Sequence, residues 1–296
     1  MPEHVLIILN QPSVDAPAHD PEAAPFAITD IGQPHLSVMD LAATRGDGVF
    51  ETLSVCGGYP QAFDHHLARF ARSAAMLDLP APDLVVWAAA IRAAVVELDA
   101  ADESFVKIVL SRGVEGGHVP TGWVYAAHSP DHTEARTAGI SVVTLDRGYR
   151  HDVASTSPWL LAGAKTLSYA VNKAAMREAE RRGADDVVFV SSDGILLEGP
   201  TSTLVYRRGD TMVTPDPALG VLDGTTQANL FRFAEARGMT TAFERPALGE
   251  LLGADAAWLV SSVRLVAPIR RIDAVDVPID ATLTGAMNEH LLGLRE

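Results

Sequence analysis

The chain has 296 residues, 48% hydrophobic and 21% charged, with a formal net charge of −15. That length supports two packed domains, and the composition is ordinary for a globular protein. The acidic balance argues against nucleic acid and anionic membrane as partners, since both call for a basic face.

Cys56 is the single cysteine, so no internal disulfide forms, which suits a reducing compartment. No apolar stretch approaches the ~18 residues of a membrane span, and the amino end lacks a basic-then-apolar leader. The expectation is a cytoplasmic protein.

Residues 4–10 read as a first or edge strand, and residues 11–25, rich in Pro, Ala and Asp, as a loop. Arg45-Gly46-Asp47-Gly48-Val49-Phe50-Glu51-Thr52 is a Gly-rich turn running into a strand. Its G-x-G lacks the third glycine of a dinucleotide fingerprint and precedes a strand, which rejects that reading. Arg45-Gly46-Asp47 as an adhesion signal does not suit a cytoplasmic chain. Gly57-Gly58 marks a hairpin turn. A helix over 65–77 follows, with Pro80 and Pro82 behind it. His65 and His66, side by side on that helix, diverge by ~100°, and no Cys or Glu completes a ligand set, so no metal is expected.

Residues 84–98 read as an amphipathic helix and 104–110 as a strand, in which Lys107 alternates with apolar neighbours and faces solvent. Arg112 ends that strand beside Gly113, Gly116 and Gly117. There its planar fork suits a substrate carboxylate; the alternative is a surface pair with Glu115. Strands over 124–127 and 140–145 lead to the polar stretch 146–158, read as the link between a domain over 1–150 and one over 151–296.

Lysine is scarce: Lys107, Lys165 and Lys173 are three among 23 basic residues. Lys165 follows Trp159-Leu160-Leu161-Ala162-Gly163-Ala164. An ammonium in apolar surroundings loses solvation, so the neutral amine becomes accessible for Schiff-base and proton-transfer chemistry. The alternative is a lysine that snorkels to water.

A helix over 166–182 stops at Gly183, and a buried strand over 186–190 turns at Asp193-Gly194 into a return strand from 195. Glu198 ends that strand before Gly199-Pro200, either solvated or aimed at a cation, because burying it unpaired is expensive. Strands at 203–206 and 211–214 precede Leu222-Asp223-Gly224-Thr225-Thr226 and a helix over 227–238. A glycine and two hydroxyls at a helix start form an anion site, or else a plain N-cap. Residues 256–264 read as a buried strand bearing Ser261 and Ser262.

The order K-T-L-S-Y, A-D-D-V-V-F-V, D-G-I-L-L-E-G, then a G-T-T loop, resembles the fold-type IV (class IV) pyridoxal-phosphate enzymes. These include the branched-chain aminotransferases, D-amino-acid aminotransferases and 4-amino-4-deoxychorismate lyases. The resemblance runs from about residue 40 to 269. It implies an α+β fold of two domains, a small sandwich-like N-terminal one and a larger pseudo-barrel C-terminal one, in a homodimer. It implies pyridoxal 5′-phosphate as cofactor, Lys165 as the catalytic amine and Glu198 on the ring nitrogen. Arg69, from H-x-x-R-F, is implied at the phosphate, and Tyr169, Leu222, Gly224, Thr225, Thr226, Ser261 and Ser262 elsewhere around the cofactor. Arg45 and Phe50 fall on its substrate-pocket positions and Arg112 joins them, the substrate being a small amino-bearing carboxylate.

Ser168 and Thr203 stand where the branched-chain pattern has asparagine. S-R-G-x-x-G-G and R-G-D-G-V-F-E-T point to the aminodeoxychorismate lyase branch. The activity this implies is conversion of 4-amino-4-deoxychorismate to 4-aminobenzoate and pyruvate. The alternatives are transamination of D-amino or branched-chain L-amino acids, and a silent binding protein that keeps the fold.

Overall fold

The computed structural model describes residues 2–15 and 23–295, so part of the loop expected at 11–25 lies outside the described residues. Two compact units emerge. The first runs to Pro130 and adds Ala164–Tyr169 and the residues from Leu294; the second holds Asp131–Gly163 and Ala170–Gly293. The boundary expected at 150 is therefore displaced, and 146–158 lies inside the second unit. A polar turn is visible in sequence, but not which unit it serves.

The first unit contains β1 (His4–Leu9), β2 (Phe26–Thr29), α1 (Leu41–Arg45), β3 (Gly48–Cys56), β4 (Tyr59–Pro60), α2 (Phe63–Met76), α3 (Leu84–Glu97), β5 (Glu103–Ser111) and β6 (Thr121–His128). They form one antiparallel sheet in the order β2-β1-β6-β5-β3-β4. Period-2 patterning sends Val5, Ile7, Val49, Leu53, Val106 and Ile108 into the core. Lys107 sits half-buried on the opposite face rather than fully in solvent. β1 is covered by β2, so it is not an edge. Gly57 and Gly58 adopt φ of 57° and 84°, as the tight β3–β4 hairpin requires. Helices α2 and α3 pack on the sheet and on each other, with Phe70 and Trp87 edge-on at 4.9 Å.

Buried Asp40 caps α1 through Ala42 N at 2.8 Å and also accepts from Ser111 Oγ (2.8 Å) and Thr121 Oγ1 (2.6 Å). It thereby ties the R-G-D-G loop to the ends of β5 and β6. Residues 165–167 return to this unit because their backbone pairs with β3: Phe50 N donates to Lys165 O (3.0 Å) and Leu167 N to Gly48 O (2.8 Å). That pairing competes with helix, so the helix expected from 166 begins only at Ala170.

The second unit contains α4 (Thr133–Thr137), β7 (Ile140–Asp146), α5 (Val153–Thr156), α6 (Ala170–Arg181), β8 (Asp186–Val190), β9 (Thr203–Arg208), β10 (Thr211–Pro215), α7 (Thr225–Glu235), β11 (Thr240–Glu244), α8 (Leu248–Leu252), β12 (Ala256–Ser261), β13 (Leu265–Ile272), β14 (Val275–Asp276) and α9 (Ala281–Gly293). Its sheet runs β11-β10-β9-β12-β13-β7-β8, with β14 on β13. Residues 195–197 follow β8 as an irregular segment rather than a regular return strand. On one side Leu197 N bonds Phe189 O at 2.9 Å; on the other Leu196 N bonds Pro246 O at 2.7 Å, just past β11. This segment links the two ends of the sheet, which is the pseudo-barrel. Leu196, Leu204, Tyr206, Val213, Leu259 and Ile269 fill one core, while α6 places Ala175 and Ala179 against Val187, Phe189 and Leu197 in another.

Candidate active site

In the first unit the R-G-D-G loop shapes the approach of Lys165. Gly46 closes α1 in the left-handed region at φ 66°, and Ser168 Oγ donates to its carbonyl at 3.2 Å. A Cβ at Gly48 would lie 2.7 Å from Leu110 O and 2.9 Å from Ser111 Cα. Only glycine leaves room there for Leu167 to pair alongside. Lys165 is held at its backbone by Ser73, whose Oγ accepts from Lys165 N at 3.2 Å. Its Nζ lies 4.7 Å over the Phe50 ring, and Phe50 meets Tyr169 edge-on at 5.3 Å. Three of the residues singled out in sequence are thus brought together.

The apolar run before Lys165 is partly turned to solvent: Trp159 and Leu160 are 72% and 54% exposed, in a 3-10 turn. Phe50 gives the amine an apolar contact.

Beside Lys165's anchor lies a cluster that the sequence reading passed over. Val49, Glu51 and Leu53 share the inward face of β3, each 0% exposed. A carboxylate in that series needs cationic partners, and that alternation was the available signal. Arg69 supplies a bidentate fork, Nε to Oε1 at 2.7 Å and Nη2 to Oε2 at 2.8 Å, and His66 Nδ1 meets Oε2 at 2.7 Å. Burial alone pushes the Glu51 carboxyl up, but the Arg69 charge and hydrogen bonds, with His66 in support, outweigh it and hold it well below the carboxylate range. Burial pushes His66 down; Glu51 opposes that, while Arg69 and Lys165 reinforce it. The adjacent histidines diverge as expected: His65 is exposed and His66 buried. Arg69, expected at a cofactor phosphate, has two N–H groups on Glu51.

Arg112 has a different partner from the one expected. Asp47, not Glu115, takes its fork, at 2.7 Å from Nε and 3.2 Å from Nη2. Leu77 O and Asp78 O accept from the same guanidinium at 2.7 and 3.1 Å. Arg45 is exposed and donates to Thr44 O at 3.0 Å.

In the second unit Glu198 is half-buried, and its Oε2 accepts from Leu222 N at 3.1 Å. Helix α7 starts at Thr225, two residues earlier than expected, with Gly224 as N-cap. A glycine cap contributes no side-chain acceptor, so Thr225 and Thr226 are buried first-turn residues rather than caps. A Cβ on Gly224 would lie 2.5 Å from Thr203 Oγ1, so the threonine that replaces the expected asparagine packs directly under this turn. Backbone N–H groups, the positive end of an 11-residue helix and two hydroxyls suit an anion such as a phosphate.

Ser261 ends β12, and Ser262 enters the following turn. Two arginines not anticipated from sequence brace that turn: Arg136 donates to Val263 O and Arg264 O, and Arg264 pairs with buried Asp186 at 2.7 Å.

Residues 48–272 match the Amino-transferase class IV family. The chain belongs to the class IV aminotransferase family. It is 44% identical over 257 residues to a bifunctional aminodeoxychorismate lyase / D-amino acid transaminase from Mycobacterium tuberculosis, covering 83% of this chain and 89% of that one. A fold IV-transaminase structure from Curtobacterium pusillum superposes with TM-score 0.93 at 50% identity, over 98% of this chain and 99% of the other. A PLP-bound structure described as a hypothetical aminotransferase from M. tuberculosis gives TM-score 0.86 at 40% identity, over 97% of each chain.

Class IV enzymes use pyridoxal phosphate, so this chain is a pyridoxal-phosphate-dependent enzyme. Each unit presents side chains that suit that cofactor: in the first an amine over an aromatic ring, in the second an oriented carboxylate and a hydroxyl-bearing helix start. Among the described residues no helix is long and apolar enough to cross a membrane.

Proposed function

We propose that this class IV enzyme is a 4-amino-4-deoxychorismate lyase that forms 4-aminobenzoate and pyruvate. The observation that carries the reading is the 44% identity, over 89% of its length, with the bifunctional M. tuberculosis lyase/transaminase. The same relative favours D-amino acid transamination as the second reading.

Bound pyridoxal phosphate supplies an electrophilic aldehyde and an electron sink. Lys165 Nζ would be the amine that holds that aldehyde, and as a neutral amine it would take the proton from the substrate carbon that bears nitrogen. Phe50 and Tyr169 keep water from the amine. Glu198 holds the proton on the ring nitrogen, its Oε2 oriented by Leu222 N. Thr225, Thr226 and the start of α7 hold the phosphate, with Gly224 and Ser261 shaping the cup and Ser262 and Arg69 as further contacts. Arg45 offers an exposed cation for a substrate carboxylate.

With a chorismate-type substrate, loss of the enolpyruvyl oxygen substituent leaves an aromatic ring, which drives the reaction. In transamination the same amine would move that proton without loss of a ring substituent, and the substrate would give up its amino group to the acceptor and leave as a 2-oxo acid. The class IV resemblance carries the further proposal that the enzyme works as a cytoplasmic homodimer.

The test assays 4-aminobenzoate release from aminodeoxychorismate beside pyruvate formation from D-alanine and 2-oxoglutarate. Release of 4-aminobenzoate at a kcat/KM at least equal to that for D-alanine supports the lyase. Pyruvate formation without 4-aminobenzoate replaces it with the transaminase.

A further inference from the structure

The buried Glu51–Arg69–His66 cluster has a place beside Lys165 that reaches beyond holding α2 on β3. Residues 66, 69 and 73 fall on one face of α2 at i, i+3 and i+7. Ser73 carries the backbone anchor of Lys165 (3.2 Å), and Arg69 and His66 both close on Glu51 at 2.7 Å. We propose that Glu51, Arg69 and His66 are positioning residues for Lys165: a buried charge cluster on its anchoring helix that sets how readily the amine gives up its proton. The proposal rests on Lys165 being the reacting amine.

Glu51 is 0% and Arg69 5% exposed, so water screens their fields little. The bidentate fork fixes the carboxylate. With Glu51 accepting at Oε2, a neutral His66 carries its proton on Nδ1 and its lone pair on Nε2. Three charged groups act on the ring: Glu51 from β3, Arg69 from α2, and, through space, Lys165. Burial, then Arg69 and Lys165, oppose protonation of His66, and Glu51 does not overcome them. The cluster therefore carries one negative and one positive charge and no net charge. The Lys165 ammonium is felt at the ring, so by reciprocity a change of charge in the cluster is felt at Lys165.

Lysine scarcity makes the test direct. Full-length, cofactor-free protein labelled with ¹³C at lysine Cε gives three signals, assigned with Lys107→Arg and Lys173→Arg and titrated with pH. In Glu51→Gln the Lys165 midpoint should fall by about one unit or more, and in Arg69→Met it should rise by about as much. The double variant should return to within about 0.3 unit of the parent, because its cluster is again neutral in sum.

Lys107 and Lys173 should not move in any variant. A Lys165 midpoint unchanged in the folded single variants, or displaced as far in the double as in either single, overturns the proposal. Should the singles not fold, the parent protein decides. Its His66 ring, followed by ¹⁵N shifts and assigned with His66→Gln, should titrate below its ordinary value and, when neutral, carry its proton on Nδ1. A ring that titrates near its ordinary value, or carries its proton on Nε2, overturns the proposal. Because the titration needs no cofactor, its outcome is independent of whether pyridoxal phosphate is carried at Lys165.

Discussion

Arg112→Met separates a clamp from a substrate-binding arginine. The guanidinium joins two pieces of the first unit: Asp47 of the R-G-D-G loop, at 2.7 and 3.2 Å, and the carbonyls of Leu77 and Asp78 behind α2, at 2.7 and 3.1 Å. A cation at a helix C-terminus also meets the negative end of the dipole. The side chains are 40% and 30% exposed for Arg112 and Asp47, so screening holds the ion pair below about 1 kcal/mol. Each carbonyl bond adds about 0.5–1.5 kcal/mol before the same discount. The clamp is then worth about 1–2 kcal/mol, or about 2–6 °C in Tm for a chain of this size. Thermal unfolding should show that loss, and kcat/KM should fall by similar factors for aminodeoxychorismate and for D-alanine, because the loop that leads into β3 and Phe50 loosens for both. A Tm moved by less than about 1 °C, with a tenfold or greater rise in KM for the chorismate-type substrate alone, would refute the clamp.

Three further outcomes follow from the same geometry. Gly48→Ala forces a Cβ to within 2.7 Å of Leu110 O and 2.9 Å of Ser111 Cα. It should cost about 1–3 kcal/mol in urea unfolding and weaken cofactor retention; unchanged stability would show that β3 and β5 can separate freely. Glu198→Gln should leave Tm within about 1–2 °C yet lower kcat by several powers of ten, since an amide stabilises a protonated ring nitrogen poorly; a loss under about tenfold (1.4 kcal/mol) removes Glu198 from that role. The pH dependence of stability should show two acid limbs. His66 has a folded value below its ordinary 6.5, so its stabilisation is complete above pH 6.5 and is lost as pH falls toward the folded value. Glu51, depressed from 4.5, adds a second loss below that pH. His66→Asn should erase the first limb of Tm against pH, and identical curves for parent and variant would contradict this.

What was legible in the sequence were the features that local physics decides. Alternation in β1, β3 and β5, the Gly57-Gly58 turn and the stop at Gly183 follow from side-chain period and backbone freedom, and each stands within a residue or two of expectation. Lys165, Phe50 and Tyr169, singled out from separate motifs, lie together in the structure. What was not legible depended on partners distant in sequence. Lys165 pairs with β3 across more than a hundred residues, and that contact ended the helix expected at 166. Asp47 lies 65 residues from Arg112 and outcompetes nearby Glu115. Glu51 was readable in part, as a charge on an apolar strand face, but its partners at 66 and 69 lie on another element. The domain boundary was not legible because residues 131–150 pack with the second unit and the six residues at Ala164–Tyr169 return to the first, contacts that no local pattern announces.

Lys165 is the residue proposed to carry the cofactor. Holoenzyme reduced with borohydride and digested should yield one pyridoxyl-modified peptide, spanning Lys165, with loss of the visible absorption band and of activity in equal measure. Modification at Lys107 or Lys173, or a Lys165→Ala protein that still turns over substrate, would contradict it.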